Sequence, residues 1–234
     1  MNGRGTNSRD RVGRPGTTAS PRPMNICVRH LMRCSRVLAL LALAVPCSAR
    51  AQTPEDRDAL ERFRDSLSAT SDTNSLLDLE KRMIAVTKTD RNNAIHHLRL
   101  GFLSLRIGEL GGQPHFEDAA SEFQWAIDLQ PTWPYAWYGM GLAEYGVGDS
   151  QVSFVTGLKT MFGKDALTRS AVAFAKSAEV DPAFVRGLVD LANTALRQRV
   201  NIKLGVALEA LRRAGATPAR DDPEVLLARG RVER

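Results

Sequence analysis

Cysteine is scarce in this chain. Only Cys27, Cys34 and Cys47 occur in 234 residues, all within the first 51. From Gln52 onward there is consequently no disulfide and no thiol nucleophile. Histidine is almost as rare. His96 and His97 are adjacent on an expected helix and point about 100° apart, so they cannot form an i, i+4 metal pair, and His115 falls in an expected turn. Hydrolase, metalloprotease and nucleotide-binding signatures are missing, with no Gly-x-Ser-x-Gly, no His-Glu-x-x-His and no Gly-Lys-Ser/Thr loop. The stretch Gly108-Glu109-Leu110-Gly111-Gly112 lacks both a preceding strand and a following Lys-Ser/Thr. It reads as an inter-helix turn. Carboxylates such as Glu117, Asp118 and Glu122 are spread along helix surfaces, as solvated faces are. No catalytic constellation, metal site or cofactor is expected. No apolar run reaches the ~20 residues of a membrane span, and no period-2 alternation argues for a strand.

The excess of positive charge is confined to the front. The whole chain has 32 basic and 26 acidic residues, a net charge of +6. Nine arginines and a single acid, Asp10, lie in residues 1–51, leaving 23 basic and 25 acidic residues in the body. A nucleic-acid partner for the body loses its support. The front reads as a secretory signal peptide. Arg29, Arg33 and Arg36 precede the apolar run Val37–Val45, Pro46 breaks it, and Ala49-Arg50-Ala51 is a small-x-small cleavage site. Cleavage after Ala51 leaves Gln52 as the mature N-terminus, with Met24 and Met32 as alternative starts. Pro46 directly before Cys47 fits a lipobox poorly. Export with a cysteine-free body suits a periplasmic protein of the bacterial envelope.

What the body does contain is helix. The stretch His115–Asp149 reads as helix, turn and helix: Ala119, Phe123 and Ala126 share one face, Pro131 stops the first helix, and Pro134 opens the second. Trp137, Met140 and Gly141 give the second helix an anchor, an apolar neighbour and a small residue, with Gly148-Asp149 as its expected C-cap. The pattern Ala119-x3-Phe123, Pro131, Trp137-x2-Met140-Gly141-x2-Glu144 resembles the tetratricopeptide repeat, with Met140 for Leu and Glu144 for Tyr as departures. The resemblance implies an all-α, right-handed solenoid of helical hairpins, about three to four repeats long, over residues 52–234. The repeats fall at about 54–90, 92–131, 134–182 and 185–216, with a half repeat at 222–234. The body is also similar to the helical N-terminal region of bacterial envelope proteins that carry a GWxTD domain, although that motif is not present here.

Two places depart from the spacing of the family. Six residues, Leu110–His115, are expected to lengthen a turn. Near Ser150–Leu167 an insertion carries Phe154, Val155, Leu158, Met161 and Phe162 at helical spacing. It is read as an extra apolar turn over the solenoid, or else as a flap or docking segment.

The resemblance also implies a concave groove lined by the first helix of each pair. Its residues are Leu98, Phe102, Leu105 and Arg106, then Tyr135, Tyr138, Leu142 and Tyr145, then Val189, Asn193, Leu196 and Arg197. Tyrosines suit recognition, and Arg106 and Arg197 are placed to hold a carboxylate. The alternative is that the tyrosines pack between repeats. Trp137, Phe123, Phe174, Ala119, Ala126 and Gly141 are expected in the core. The expected function is a non-catalytic protein–protein scaffold or adaptor that binds a peptide or protein in the groove, without nucleic acid and without a membrane span in the mature chain. The alternative is a structural N-terminal module of a larger envelope protein.

Overall fold

The computed structural model describes residues 52–154, 159–197 and 204–233, with the side chains of residue 113 and residues 150–165 outside the description. The expected leader and signal peptide lie outside the described residues. Everything described is helix or short connection, with no strand among the described residues. The helices are α1 (Pro54–Ser68), α2 (Thr73–Thr89), α3 (Ala94–Gly111), α4 (Gln113–Leu129), α5 (Pro134–Phe154), α6 (Lys159–Val180), α7 (Val185–Arg197), α8 (Leu204–Gly215) and α9 (Pro223–Val232). A 3₁₀ turn, Pro218–Asp221, joins the last two. No helix among the described residues is long and apolar enough to cross a membrane.

Local chemistry sets the helix starts. Thr53 accepts from the Asp56 amide ahead of Pro54, and Asp72, Asn93 and Asp222 do the same for Asn74, Ile95 and Glu224. Each side chain satisfies an amide that the first turn leaves unpaired. Pro131 and Pro134 bracket the connection between α4 and α5, as their fixed φ and missing donors require.

Two expectations about connections are corrected. Leu110–His115 do not form a long turn, because α3 runs through Gly111 and α4 begins at Gln113, with Gly112 alone as an extended break. Gly148 does not end its helix, since α5 continues to Phe154. A Cβ at Gly148 would stand 2.9 Å from Leu167 Cγ, so this glycine serves close approach of α6 to α5 rather than a cap. The backbone of the insertion at 150–154 and 159–167 prolongs α5 and α6. How its apolar side chains pack lies outside the described residues.

The helices pack in pairs, α3 with α4, α5 with α6 and α7 with α8, and each pair leans on the next through α4–α5 and α6–α7. The first helices also touch one another, α3 with α5 and α7 with α9. Phe123 and Phe174 fill the middle of two such pairs and are fully buried, as are Ala119 and Ala126. A Cβ at Gly141 would lie 2.5 Å from the Phe174 ring, and Ser170 Oγ donates to Gly141 O at 2.8 Å, locking α6 onto α5. Trp137, expected in the core, is only half-buried and donates from Nε1 to Pro131 O at 2.8 Å. The ring spans core and surface because its N–H needs a partner. Between α3 and α4, buried His97 bonds Glu122 through Nδ1 at 2.7 Å and Arg91 O through Nε2 at 2.9 Å.

The front of the chain breaks the pairing. α2 packs on α3, but α1 does not run along α2; it turns back and packs on α3. Residues 54–90 are therefore not a closed hairpin.

Candidate functional site

The first helices of successive pairs bring their aromatic residues to one place. Phe102 of α3 stands 6.5 Å from Tyr135 of α5, centroid to centroid, and Tyr135 stands 6.4 Å from Tyr138. Phe184, just before α7, closes the set at 4.9 Å from Tyr135 and 5.3 Å from Tyr138. All four contacts are edge-to-face, the arrangement that ring quadrupoles favour.

This face is covered by α1. Arg57, Leu60, Glu61, Arg64 and Leu67 recur at spacings of three and four and so share one side of the helix. Leu60 and Leu67 are buried. The Arg64 guanidinium lies 4.9 Å from the Phe102 centroid and 5.3 Å from that of Tyr138, a cation on two ring faces. Arg57 donates to Asp181 at 2.7 Å, and Arg186 of α7 donates to Glu61. At the other end Arg106 donates to the carbonyls of Thr70 at 3.1 Å and Ser68 at 3.4 Å. A cation there satisfies acceptors that a helix C-terminus leaves open.

Behind the aromatic face sits a half-buried acid, Asp190. Tyr138 donates to Asp190 of α7 at 2.9 Å, and Asn193 also donates to Asp190. Burial pushes the Asp190 carboxyl above the usual carboxylate range, opposed by the hydrogen bonds from Tyr138 and Asn193. Burial, and then the charge of Asp190, push the Tyr138 hydroxyl well above the ordinary tyrosine value. Both groups resist ionisation because a charge in that setting loses its water.

The twelve residues expected to line a groove divide accordingly. Leu98, Phe102, Leu105, Tyr135, Tyr138 and Val189 are buried rather than open to a ligand. They are covered by α1 or by neighbouring helices. Arg106 is half-buried and holds the end of α1. Leu142, Tyr145, Asn193 and Leu196 are half-buried, and Arg197 is exposed and paired with Asp149 of α5. Asn193 accepts from Arg231 of α9 at 3.1 Å. No family model matches this chain, and none of the curated proteins does.

Arg57, Glu61, Arg64, Asp181, Phe184, Arg186 and Asp190 belong to the same constellation and were not singled out by sequence reasoning. The signal available for three of them was the mixed charged and apolar face of α1. Among the described residues no three His, Cys, Asp or Glu side chains gather as a metal site.

Proposed function

We propose that the chain is a non-catalytic protein–protein interaction scaffold of the bacterial cell envelope, built as a tetratricopeptide-type solenoid of helical hairpins. Its signal peptide, cleaved after Ala51, directs it to the periplasm. There the face made by α3, α5 and α7 holds a peptide or protein. The observation that carries this reading is α1 lying on that face as an amphipathic helix, held by aromatic pockets, charge pairs and a helix-end clamp. Those are the means by which a groove holds an amphipathic helix. Pairwise helix packing and the fully buried Phe123 and Phe174 at equivalent pair interfaces support the repeat reading.

Site-specific photo-crosslinking in intact cells tests it. Crosslinkers at positions 145 and 197, on the open end of the face, are expected to capture one partner. One at Val172, which is 63% exposed on α6, is expected to capture none. Equal labelling from all three would remove the assignment.

A second reading, a structural module that carries further domains, is favoured by a different surface. Leu204, Leu208, Leu226 and Leu227 are exposed on α8 and α9, as stacked repeats leave at an uncapped end. A crosslink obtained only from position 226 would support that reading instead.

A further inference from the structure

We propose that α1 is a displaceable self-ligand, and that the true ligand of this face is an amphipathic helix carrying the same pattern, Arg-x2-Leu-Glu-x2-Arg-x2-Leu. The proposal rests on the groove-binding reading above and names its ligand class.

Each element of that pattern has a receiver on the face. The first arginine position, Arg57, meets Asp181, and the glutamate, Glu61, meets Arg186. The second arginine, Arg64, lies over the rings of Phe102 and Tyr138, and its Nη1 is buried without a hydrogen-bond acceptor. The guanidinium is held by these ring faces and by an ion pair within α1, Nη1 standing 3.7 Å from the Glu61 carboxylate. The two leucines are buried seven residues apart, one on each side of Arg64. Arg106 then takes the carbonyls that end the helix. Charge, apolar spacing and polarity of the helix axis are all specified by the receiving surface, the mark of helix-in-groove recognition.

The attachment of α1 is suited to exchange. It is joined to α2 by residues 69–72 alone and does not pack along it. Its charge pairs are open to water: Arg57 and Asp181 are 35% and 19% exposed, Arg186 and Glu61 42% and 28%. Pairs of this kind contribute little each, about 0–1 kcal/mol. Tethering still gives α1 an effective concentration of about millimolar, so an incoming helix must offer more than α1 does. The face has that to offer. Tyr145 and Arg197, two and three turns further along α5 and α7 than Tyr138 and Arg186, remain half-buried and exposed. A ligand whose chain continues beyond the helix end held by Arg106 gains contacts there.

The probe is a fluorescent synthetic peptide of residues 53–70, titrated by anisotropy into the full-length chain and into its Leu60→Asp/Leu67→Asp variant. The covered groove of the natural chain lowers apparent affinity by the fraction of molecules with α1 undocked, so the variant is expected to bind roughly tenfold tighter or more. A peptide carrying the same two aspartates should bind neither. Equal affinity for both proteins, or no binding to a variant that has lost no more far-ultraviolet helicity than α1 contributes, overturns the proposal. Should the variant not fold, hydrogen exchange on the natural chain decides. Excess peptide should accelerate exchange of the α1 amides and leave those of α3 and α5 unchanged; unchanged α1 amides overturn it. A concentration-dependent dimer that the peptide dissolves would make a second copy the occupant, and also overturns it. Peptide exchange without any crosslinked partner at 145 or 197 would instead fail the scaffold reading while leaving displaceable α1 standing.

Discussion

Truncation of Leu60 to alanine separates the docking of α1 from the stability of everything else. Leu60 has no exposed surface and is the most deeply buried side chain of α1. Deleting such a leucine costs about 2–5 kcal/mol, through lost transfer energy and the cavity left behind. Because α1 contacts α3 but does not run along α2, that loss falls on the docking of one helix rather than on the global transition. Each ~1.4 kcal/mol is tenfold in a local opening equilibrium. Amide exchange across α1 should therefore accelerate by about thirtyfold or more, even at the low end of the range. The thermal midpoint of the remaining helices should barely move. Leu188 is equally buried but lies in α7, between α6 and α8, so Leu188→Ala should lower the global midpoint. Hydrogen exchange and calorimetry on the two variants read the contrast. If Leu60→Ala lowers the midpoint as far as Leu188→Ala does, with α1 exchanging no faster than α3, α1 is an integral part of the core and the reasoning fails.

Four further outcomes follow from the same geometry. Gly141→Ala places a methyl against the Phe174 ring and should cost about 1–3 kcal/mol of overpacking, seen as a lowered urea midpoint. His97→Ala removes a buried ring and both of its hydrogen bonds and should destabilise by about 1–3 kcal/mol, again by urea unfolding. With Tyr138 raised by burial, the native state binds more protons than the unfolded state once pH exceeds the usual tyrosine value of about 10, so stability should fall as pH rises from there. Tyr138→Phe should flatten that alkaline limb; an unchanged slope would contradict it. High salt should loosen α1 selectively, raising proteolytic cleavage within residues 69–72, because its charge pairs are partly exposed.

Much of the all-α fold was legible because its signals are local. Caps such as Asn93 and Asp222, the proline pair around 131–134, and the Ala119, Phe123, Ala126 face each specify helix within a few residues. Glycine misled at two points. Gly148 and the 108–112 cluster looked like punctuation, yet the first admits a neighbouring helix and most of the second is α3 itself. A glycine needed for close approach and one needed for a turn are the same letter, and only the third dimension separates them. The candidate site was half legible. The resemblance put Phe102, Arg106, Tyr135 and Tyr138 on one face; the three rings stand together, and Arg106 holds the end of α1. That α1 lies over them was not readable. Contacts such as Arg57 with Asp181 join residues 124 apart, and no local pattern encodes such a pairing.

On this reading the face exchanges its own helix for another. Affinity capture from envelope extract, with the natural chain and with Leu60→Asp/Leu67→Asp as baits, tests it most directly when the residue 53–70 peptide is used to elute. One protein should be enriched on the opened bait and released by the peptide. Identical recovery on both baits, unaffected by the peptide, would contradict it.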